Sequence, residues 1–419
     1  MSHVPSRIRK KIEWLLRRAE GALLPERVLA EEGRHLEPRR ALIKLGEAKD
    51  EVALVGVAAR VDQLNRMLES RRDDDRRTYL DQHGAAGIQR FHSKAGARIY
   101  SMSVETFPKH INNVYLLIEG DTLTMFDCGS GMDTSRRDLA LGFAGVRGLF
   151  GEAARYEEVD WCVISHAHFD HFGGANQMKK ETRARLAVHE LDARVLSCFG
   201  ERLVIASKDT DIFWRRAGVP DAERNVLIAM YTAAKSAFVA QEVDRVLRDG
   251  DSIGPGYRVH HVPGHCPGCM CLQVHDCLLT SDHVLSRTTP HQFPQAITPF
   301  GGLEHYFHSL AKVRRIEGVN FALGGHEDPM WDLRARIDAI ALFHRDRLAK
   351  VQALCSGPRT VVDIARDLFG DQDGYSRILA LDEAGAHVEY LHQLGHLRIA
   401  NLEEVQRARD PVIQYVARG

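Results

Sequence analysis

His166-Ala167-His168-Phe169-Asp170-His171 puts three imidazoles and one carboxylate into six consecutive residues. Neutral imidazole nitrogens and carboxylate oxygens are donors for divalent metals, so the stretch reads as a metal-ligand loop. Val163-Ile164-Ser165 before it looks like the end of a buried strand, and Phe172-Gly173-Gly174-Ala175-Asn176 after it looks like the entry to a helix. A strand end holds the first ligands rigidly while the turn aims the later ones elsewhere, so one loop can serve two cations. The competing reading is a surface loop in a chain with 22 histidines. Three downstream segments weigh against it.

These are Val262-Pro263-Gly264-His265, Cys277-Leu278-Leu279-Thr280-Ser281-Asp282-His283 and Phe321-Ala322-Leu323-Gly324-Gly325-His326. Each sets a ligand-type residue beside glycine or after an apolar run. Singly they are weak, because Gly-His pairs and acids after strands occur in ordinary turns. In this order after His-x-His-x-Asp-His they form a specific constellation.

On these residues the chain resembles the metallo-β-lactamase fold superfamily, in its branch of seven-ligand hydrolases. The resemblance spans about residues 98–330. It implies that His166, His168 and His265 bind one metal, that Asp170, His171 and His326 bind another, and that Asp282 bridges both. Asn113–Ile118 followed by Leu123–Gly129 looks like the family's opening hairpin, in which Asp127 would orient the ligand loop. Ser165 and Cys128 stand where the family usually has threonine, a small-for-small change with no expected effect on mechanism. His283 is expected behind the site or in its wall, with no role as the alternative. The implied fold class is α/β: a four-layer αβ/βα sandwich, here with an N-terminal helical extension (1–95), a catalytic domain (96–330) and a C-terminal helix and winged-helix domain (331–419).

The chemistry explains why such residues belong together. A bridging carboxylate holds two cations about 3.5–4 Å apart, and coordination lowers the pKa of a water from about 15.7 toward about 7. A hydroxide between the metals then serves as nucleophile, and no Ser or Cys is needed. Asp170 is the candidate catalytic residue, orienting that nucleophile and passing a proton to the leaving group. Two divalent ions are expected, zinc by default, with iron or manganese also compatible with His and carboxylate donors.

The remaining sequence bounds the function. The chain has 419 residues, 44% hydrophobic, with a formal net charge of −1, so there is no global bias toward nucleic acid or anionic lipid. The N-terminus, Met1-Ser2-His3-Val4-Pro5-Ser6-Arg7, begins no apolar signal core, and no stretch approaches the roughly 20 apolar residues of a membrane helix, so a cytoplasmic location is expected. Cys266, Cys269 and Cys271 follow a candidate ligand, but no second Cys-x-x-Cys completes a thiolate site. Reduced, mostly buried thiols are the simpler reading.

Before the catalytic region, Ile8, Ile12, Leu15 and Leu16, and then Leu54, Val57, Val61, Leu64 and Leu68, recur at helical spacing. Such a stripe predicts packing on the catalytic domain or a second subunit, with a lid over the site as the alternative. Ser70-Arg71-Arg72-Asp73-Asp74-Asp75-Arg76-Arg77 is mixed in sign and reads as a solvated face or connector. After His326, a long helix is predicted from Trp331 to Lys350. Thr360 reads as a helix N-cap, Gly370 as a stop, Leu379–Leu394 as a helix, and Gly395-His396-Leu397-Arg398-Ile399 as a strand of a small wing. A catalytic domain followed by such a module is similar to the group of β-lactamase-like endoribonucleases and bacterial thioester or ester hydrolases.

Residues 351–419 carry ten acidic and seven basic side chains. Phosphate docking calls for a basic footprint, so nucleic acid is disfavoured and the module is expected to wall the cleft or contact a second subunit in a homodimer. The leading expectation is a hydrolase for a small-molecule thioester, ester or lactone. The alternatives are a metal-dependent endoribonuclease using the same hydroxide, and a binding or regulatory protein with a vestigial site. Arg287 is a candidate for an anionic substrate group, and His291 and Tyr306 are candidates to donate to a developing oxyanion.

Overall fold

The computed structural model describes residues 88–235 and 238–418. The expected N-terminal helices fall on residues outside this range. Seven strands form the first sheet, in sequential order: β1 (Ile88–His92), β2 (Arg98–Phe107), β3 (His110–Glu119), β4 (Thr122–Phe126), β5 (Trp161–Ile164), β6 (Arg185–His189) and β7 (Arg245–Leu247). The first four are antiparallel neighbours, and β4 to β7 run parallel. Because β1 pairs with β2 from Ile88↔Met102, the sheet begins before residue 96, which corrects the boundary expected there. A second sheet has the order β12-β11-β10-β9-β8, built from β8 (Ser252–Ile253), β9 (Tyr257–His261), β10 (Met270–Val274), β11 (Cys277–Ser281) and β12 (Phe321–Gly324).

The period-two alternation of strands explains the layering. In β3, Tyr115 and Leu117 point into the core between the sheets, whereas Val114, Leu116 and Ile118 point to the opposite face. In β11, Cys277 and Leu279 join the inter-sheet core and Leu278 faces the other way. Strands buried on both faces read as continuous apolar runs rather than alternating ones. That is why Val163-Ile164 and Cys277–Leu279 look featureless in sequence.

Helices cover both outer faces. Against the first sheet lie α1 (Asp133–Phe150), the single turn α2 (Phe169–Phe172), α3 (Ala175–Glu181) and α4 (Glu190–Ser197). Then α5 (Phe199–Ala217) and α6 (Asp221–Lys235) form a helical pair between β6 and β7. The second sheet is covered by α7 (Leu303–Arg314) and α8 (Leu333–Leu354). The result is the α/β architecture of two facing sheets between helical layers.

Beyond His326 the chain adds α9 (Val361–Phe369), α10 (Gly374–Gln393), α11 (Leu402–Arg407) and a small antiparallel sheet of β13 (Leu397–Ile399) and β14 (Tyr415–Ala417). The capping signals have direct physical counterparts. Thr360 Oγ1 accepts the Asp363 N–H at 3.1 Å, and the Asp363 carboxylate accepts the Thr360 N–H at 3.1 Å, a reciprocal capping box. Gly370 ends the helix at φ 73°. These elements share one apolar core with the outer face of the second sheet, so α10 is a fixed neighbour of the catalytic layers. Arg377 on α10 ion-pairs with Glu223 on α6 at 2.8 Å.

Candidate metal centre

All seven ligand-type residues converge, and each follows the C-terminal end of a strand. His166, His168, Asp170 and His171 follow β5, His265 follows β9, Asp282 follows β11 and His326 follows β12. In sheets of this kind functional groups gather at those ends. His166 Nε2 lies 2.9 Å from His168 Nδ1, and His265 Nε2 lies 3.0 Å from the same atom. These three rings form one cluster that could hold a cation. On the other side, His171 Nε2 is 3.3 Å from Asp170 Oδ2, and His326 Nε2 is 3.6 Å from it.

Asp282 sits between the two groups. Its Oδ2 is 3.7 Å from His265 Nε2, 3.5 Å from His171 Nε2 and 3.2 Å from His326 Nε2, while its Oδ1 is buried without a hydrogen-bond partner. Leaving a buried carboxylate oxygen unpaired is costly, and a cation at that point would remove the cost. A Cβ on Gly325 would meet Asp282 Oδ1 and come within 2.9 Å of His171 Cε1, so only glycine fits behind the pair.

Four of the five clustered rings, those of His166, His171, His265 and His326, are anchored at the back, which fixes where the front nitrogen points. His171 Nδ1–H donates to Asp127 Oδ2 at 2.8 Å, His265 Nδ1–H to the His291 carbonyl at 2.7 Å, and His326 Nδ1–H to the Ile111 carbonyl at 2.8 Å. His166 Nδ1 lies 3.0 Å from Ser165 Oγ. These tautomers follow from the hydrogen-bond network. Each leaves an Nε2 lone pair directed inward, the arrangement a metal ligand needs. Asp127 also accepts the Ser165 N–H at 2.7 Å and the Ser165 hydroxyl at 2.8 Å, so one buried carboxylate orients a candidate ligand and pins its loop.

The electrostatics describe a site that calls for positive charge. Burial lowers the His168 pKa well below its usual value, reinforced by the neighbouring His265, and burial lowers that of His265 as well. Burial also opposes charge on His171, yet the Asp170, Asp282 and Asp127 carboxylates hold its pKa well above normal. Burial acts likewise on His326, but Asp282 raises it to about 9. Protons there stand in for a cation among carboxylates. The donor set therefore fits two divalent metals.

The other expected site residues fall in different places. Arg287 is 65% exposed, ion-paired with Asp328 at 3.6 Å, and lines the cavity in front of the ligands. His291 lines the cavity too, but its Nδ1 is 3.3 Å from Glu383 Oε2, and burial lowers its pKa to about 3. Its Nε2 is buried without a hydrogen-bond partner, and its carbonyl accepts from His265 Nδ1. Tyr306 is corrected: it is fully buried, and its hydroxyl donates to the His283 carbonyl at 2.9 Å. The His283 ring is buried against Tyr306, behind the ligands and away from the cavity lining.

Four residues escaped the sequence reading. Asn112 Nδ2 donates to Asp170 Oδ2 at 3.1 Å, and His110 Nε2 lies 3.1 Å from the same oxygen. Asp192, fully buried, accepts the Ala167 N–H at 2.8 Å and the Gly268 N–H at 2.9 Å, tying the first ligand loop to the turn after His265. Glu383 accepts the Gln292 N–H at 2.7 Å and pairs with Arg347 at 2.5 Å. The buried rings of His387 and His344 lie beside it, His387 Nδ1–H donating to the Glu383 backbone carbonyl at 2.7 Å and His344 Nδ1 lying 3.2 Å from His387 Nε2. The signal available for Asn112 was two adjacent amides opening an otherwise apolar strand. Asp192 and Glu383 look like any acid on a helix.

Of the ligand set, His168, Asp170, His265, Asp282 and His326 line a cavity of about 980 Å³. Facing sheets, outer helices and convergent His and Asp residues at strand ends define a two-sheet α/β protein with a candidate metal centre. The Metallo-beta-lactamase superfamily profile matches residues 108–326, just over half of the chain, and the chain belongs to that superfamily. Members of this superfamily are metal-dependent hydrolases. No curated protein sequence matches the chain. Among solved structures, it is similar to a beta-lactamase domain protein from Burkholderia ambifaria, with a TM-score of 0.63 and 26% identity over 79% of this chain and 94% of that one. It is also similar in fold to a metallo-beta-lactamase family protein from Thermus thermophilus, with a TM-score of 0.58 and 24% identity over 76% of this chain and 98% of that one.

All eight cysteines are free, seven of them buried, and burial raises the pKa of Cys266 and Cys269 well above the usual thiol value. Among the described residues no helix is long and apolar enough to cross a membrane.

Proposed function

We propose that the chain is a dinuclear metal-dependent hydrolase of small-molecule thioesters or esters, with lactones as close relatives. The observation that carries this reading is the position of the ligand set against a large, mainly apolar cavity. Phe107, Phe169, Phe293, Ile297, Ile378 and Leu379 supply apolar lining. A pocket of this kind buries an acyl chain; a polynucleotide needs a basic groove. Lys109 and Arg287 at the same cavity supply positive charge for an anionic leaving group. His166, His168 and His265 would hold one metal, Asp170, His171 and His326 the other, and Asp282 both.

When bound, two divalent ions supply Lewis acidity and make a water nucleophilic at neutral pH. The protein's own groups do the rest. Asp170, aimed by Asn112 and its backbone, orients the attacking water and delivers a proton to the leaving group. His110, half exposed beside Asp170, connects that carboxylate to solvent. The C-terminal helices, read as a winged helix, serve as the cavity wall through α10.

The test is metal content by mass spectrometry together with turnover of acyl thioesters, lactones and a single-stranded RNA. About two metals per chain, with thioester or lactone turnover lost in His168→Ala, is the expected result. Cleavage of RNA alone would install the endoribonuclease reading. Absence of bound metal and of turnover after zinc or iron is restored would sink the hydrolase.

A further inference from the structure

The cavity has a second polar region that the hydrolytic chemistry does not use. Lys235, near the end of α6, is half-buried and lines the cavity together with Thr210, Tyr231, Tyr375 and Asp382. Its ammonium lies 3.5 Å from the centre of the Tyr231 ring and 5.4 Å from that of Phe169, the residue between candidate ligands His168 and Asp170. The polar patch is thus one aromatic ring away from the metal centre. Asp382, buried on α10, accepts the Trp214 indole N–H on Oδ1 at 3.0 Å. Among the described residues, its Oδ2 has no hydrogen-bond partner, and Lys235 has ring contacts but no oxygen partner.

A lysine and an aspartate that share a cavity wall without closing an ion pair leave a donor and an acceptor for something else. Burial lowers the Lys235 pKa to about 7, opposed by Asp382, and burial raises that of Asp382 to about 7, opposed by Trp214 and Lys235. Whether both are charged or both neutral, the pair then carries no net charge. A carboxylate entering here would face Asp382, an ammonium would face Lys235, and a bare hydrocarbon would leave both unsatisfied.

We infer that Lys235 and Asp382 form a recognition subsite for an uncharged group that both donates and accepts hydrogen bonds, a hydroxyl or an amide, on the acyl part of the substrate. The inference rests on the acyl-hydrolase reading above, and it narrows the substrate from acyl groups in general to hydroxyacyl or amidoacyl ones. Hydrogen-bonding sites reject analogues lacking the polar group far more strongly than apolar sites reject an extra methylene.

The test separates binding from turnover. Metal-loaded full-length protein is titrated calorimetrically with ω-hydroxy carboxylic acids, butanoic to octanoic, and with the matching unsubstituted, ω-amino and dicarboxylic acids. At one chain length the hydroxy acid should bind at least about tenfold more tightly than its hydrocarbon counterpart. That ratio should fall to within about threefold in both Lys235→Met and Asp382→Asn, with metal content and thermal unfolding recorded for each variant. Asp382→Asn retains an acceptor for Trp214, so it guards against a folding defect in the lysine variant. Equal affinities in the wild type, no measurable binding of any acid, preference for a charged terminus, or a ratio unchanged in the variants would each overturn the subsite. The corresponding thioesters are assayed in parallel. Discrimination in binding without any thioester turnover would remove the acyl-hydrolase reading and leave the subsite, whereas turnover without discrimination would do the reverse.

Discussion

At the residue scale, the site is governed by what stands behind the ligands. Asp127 occupies the left-handed region at φ 67°, unusual for a residue other than glycine, and from there its carboxylate reaches both His171 and Ser165. Its removal as a charge should matter more than its removal as a shape. In Asp127→Asn the amide can still accept from one neighbour, but the negative charge that supports His171 is lost. We expect metal affinity to fall about 10–100-fold, measured by competition with a chromogenic chelator. An unchanged affinity would show that the ring is held by packing alone. The candidate ligands were readable in sequence because a motif compresses four of them into one loop. His110 was not, because a lone histidine in a hairpin turn resembles any other. Lys235 and Asp382 meet only through the fold.

At the element scale, the C-terminal helices were legible where local chemistry marks their ends. Thr360 announced the start of α9 as an N-cap and Gly370 its end, the structure adding the reciprocal bond from Asp363, and Thr360→Ala should cost about 1 kcal/mol in chemical denaturation while leaving metal content unchanged. The pair α5 and α6 carried no comparable motif, so its place beside the cavity emerged only from tertiary packing. Another property of α8 and α10 is a pH dependence. His387 on α10 is buried with its Nδ1–H donated to the Glu383 carbonyl, and His344 on α8 lies 3.2 Å away. Arg347, Glu383 and His291 are the other ionisable groups around them. Burial lowers the His387 pKa to about 3, against about 6.5 in an unfolded chain. The unfolded state therefore binds the extra proton first, and the contribution is complete above about pH 6.5 and lost as pH falls toward 3. His387→Gln should flatten the dependence of unfolding free energy by up to about 1.4 kcal/mol per pH unit between pH 6 and 4. A slope equal to that of the wild type would show that this ring is already charged in the fold.

At the scale of the whole molecule, the four-layer sandwich was legible through the resemblance that the ligand motifs carry and not through strand alternation, because the central strands are apolar on both faces; among the described residues the first sheet already includes Ile88, before the boundary expected at 96. The net charge of −1 and the acidic excess of residues 351–419 lead to a further expectation. Fluorescence anisotropy with single-stranded RNA at physiological salt should show no binding, and lowering the salt should recover little; a steep salt dependence would point to a phosphate-binding face after all. The cavity draws its metal-type residues from 166–326 and part of its wall from Tyr375 to Asp382 on α10. Part of the cavity wall is therefore written in a stretch of the gene separate from the candidate ligands. Mutations in the later stretch can explore new substrates while the hydrolytic apparatus stays under its own selection, and directed evolution confined to α10 is a route to altered specificity that spares the ligand loops.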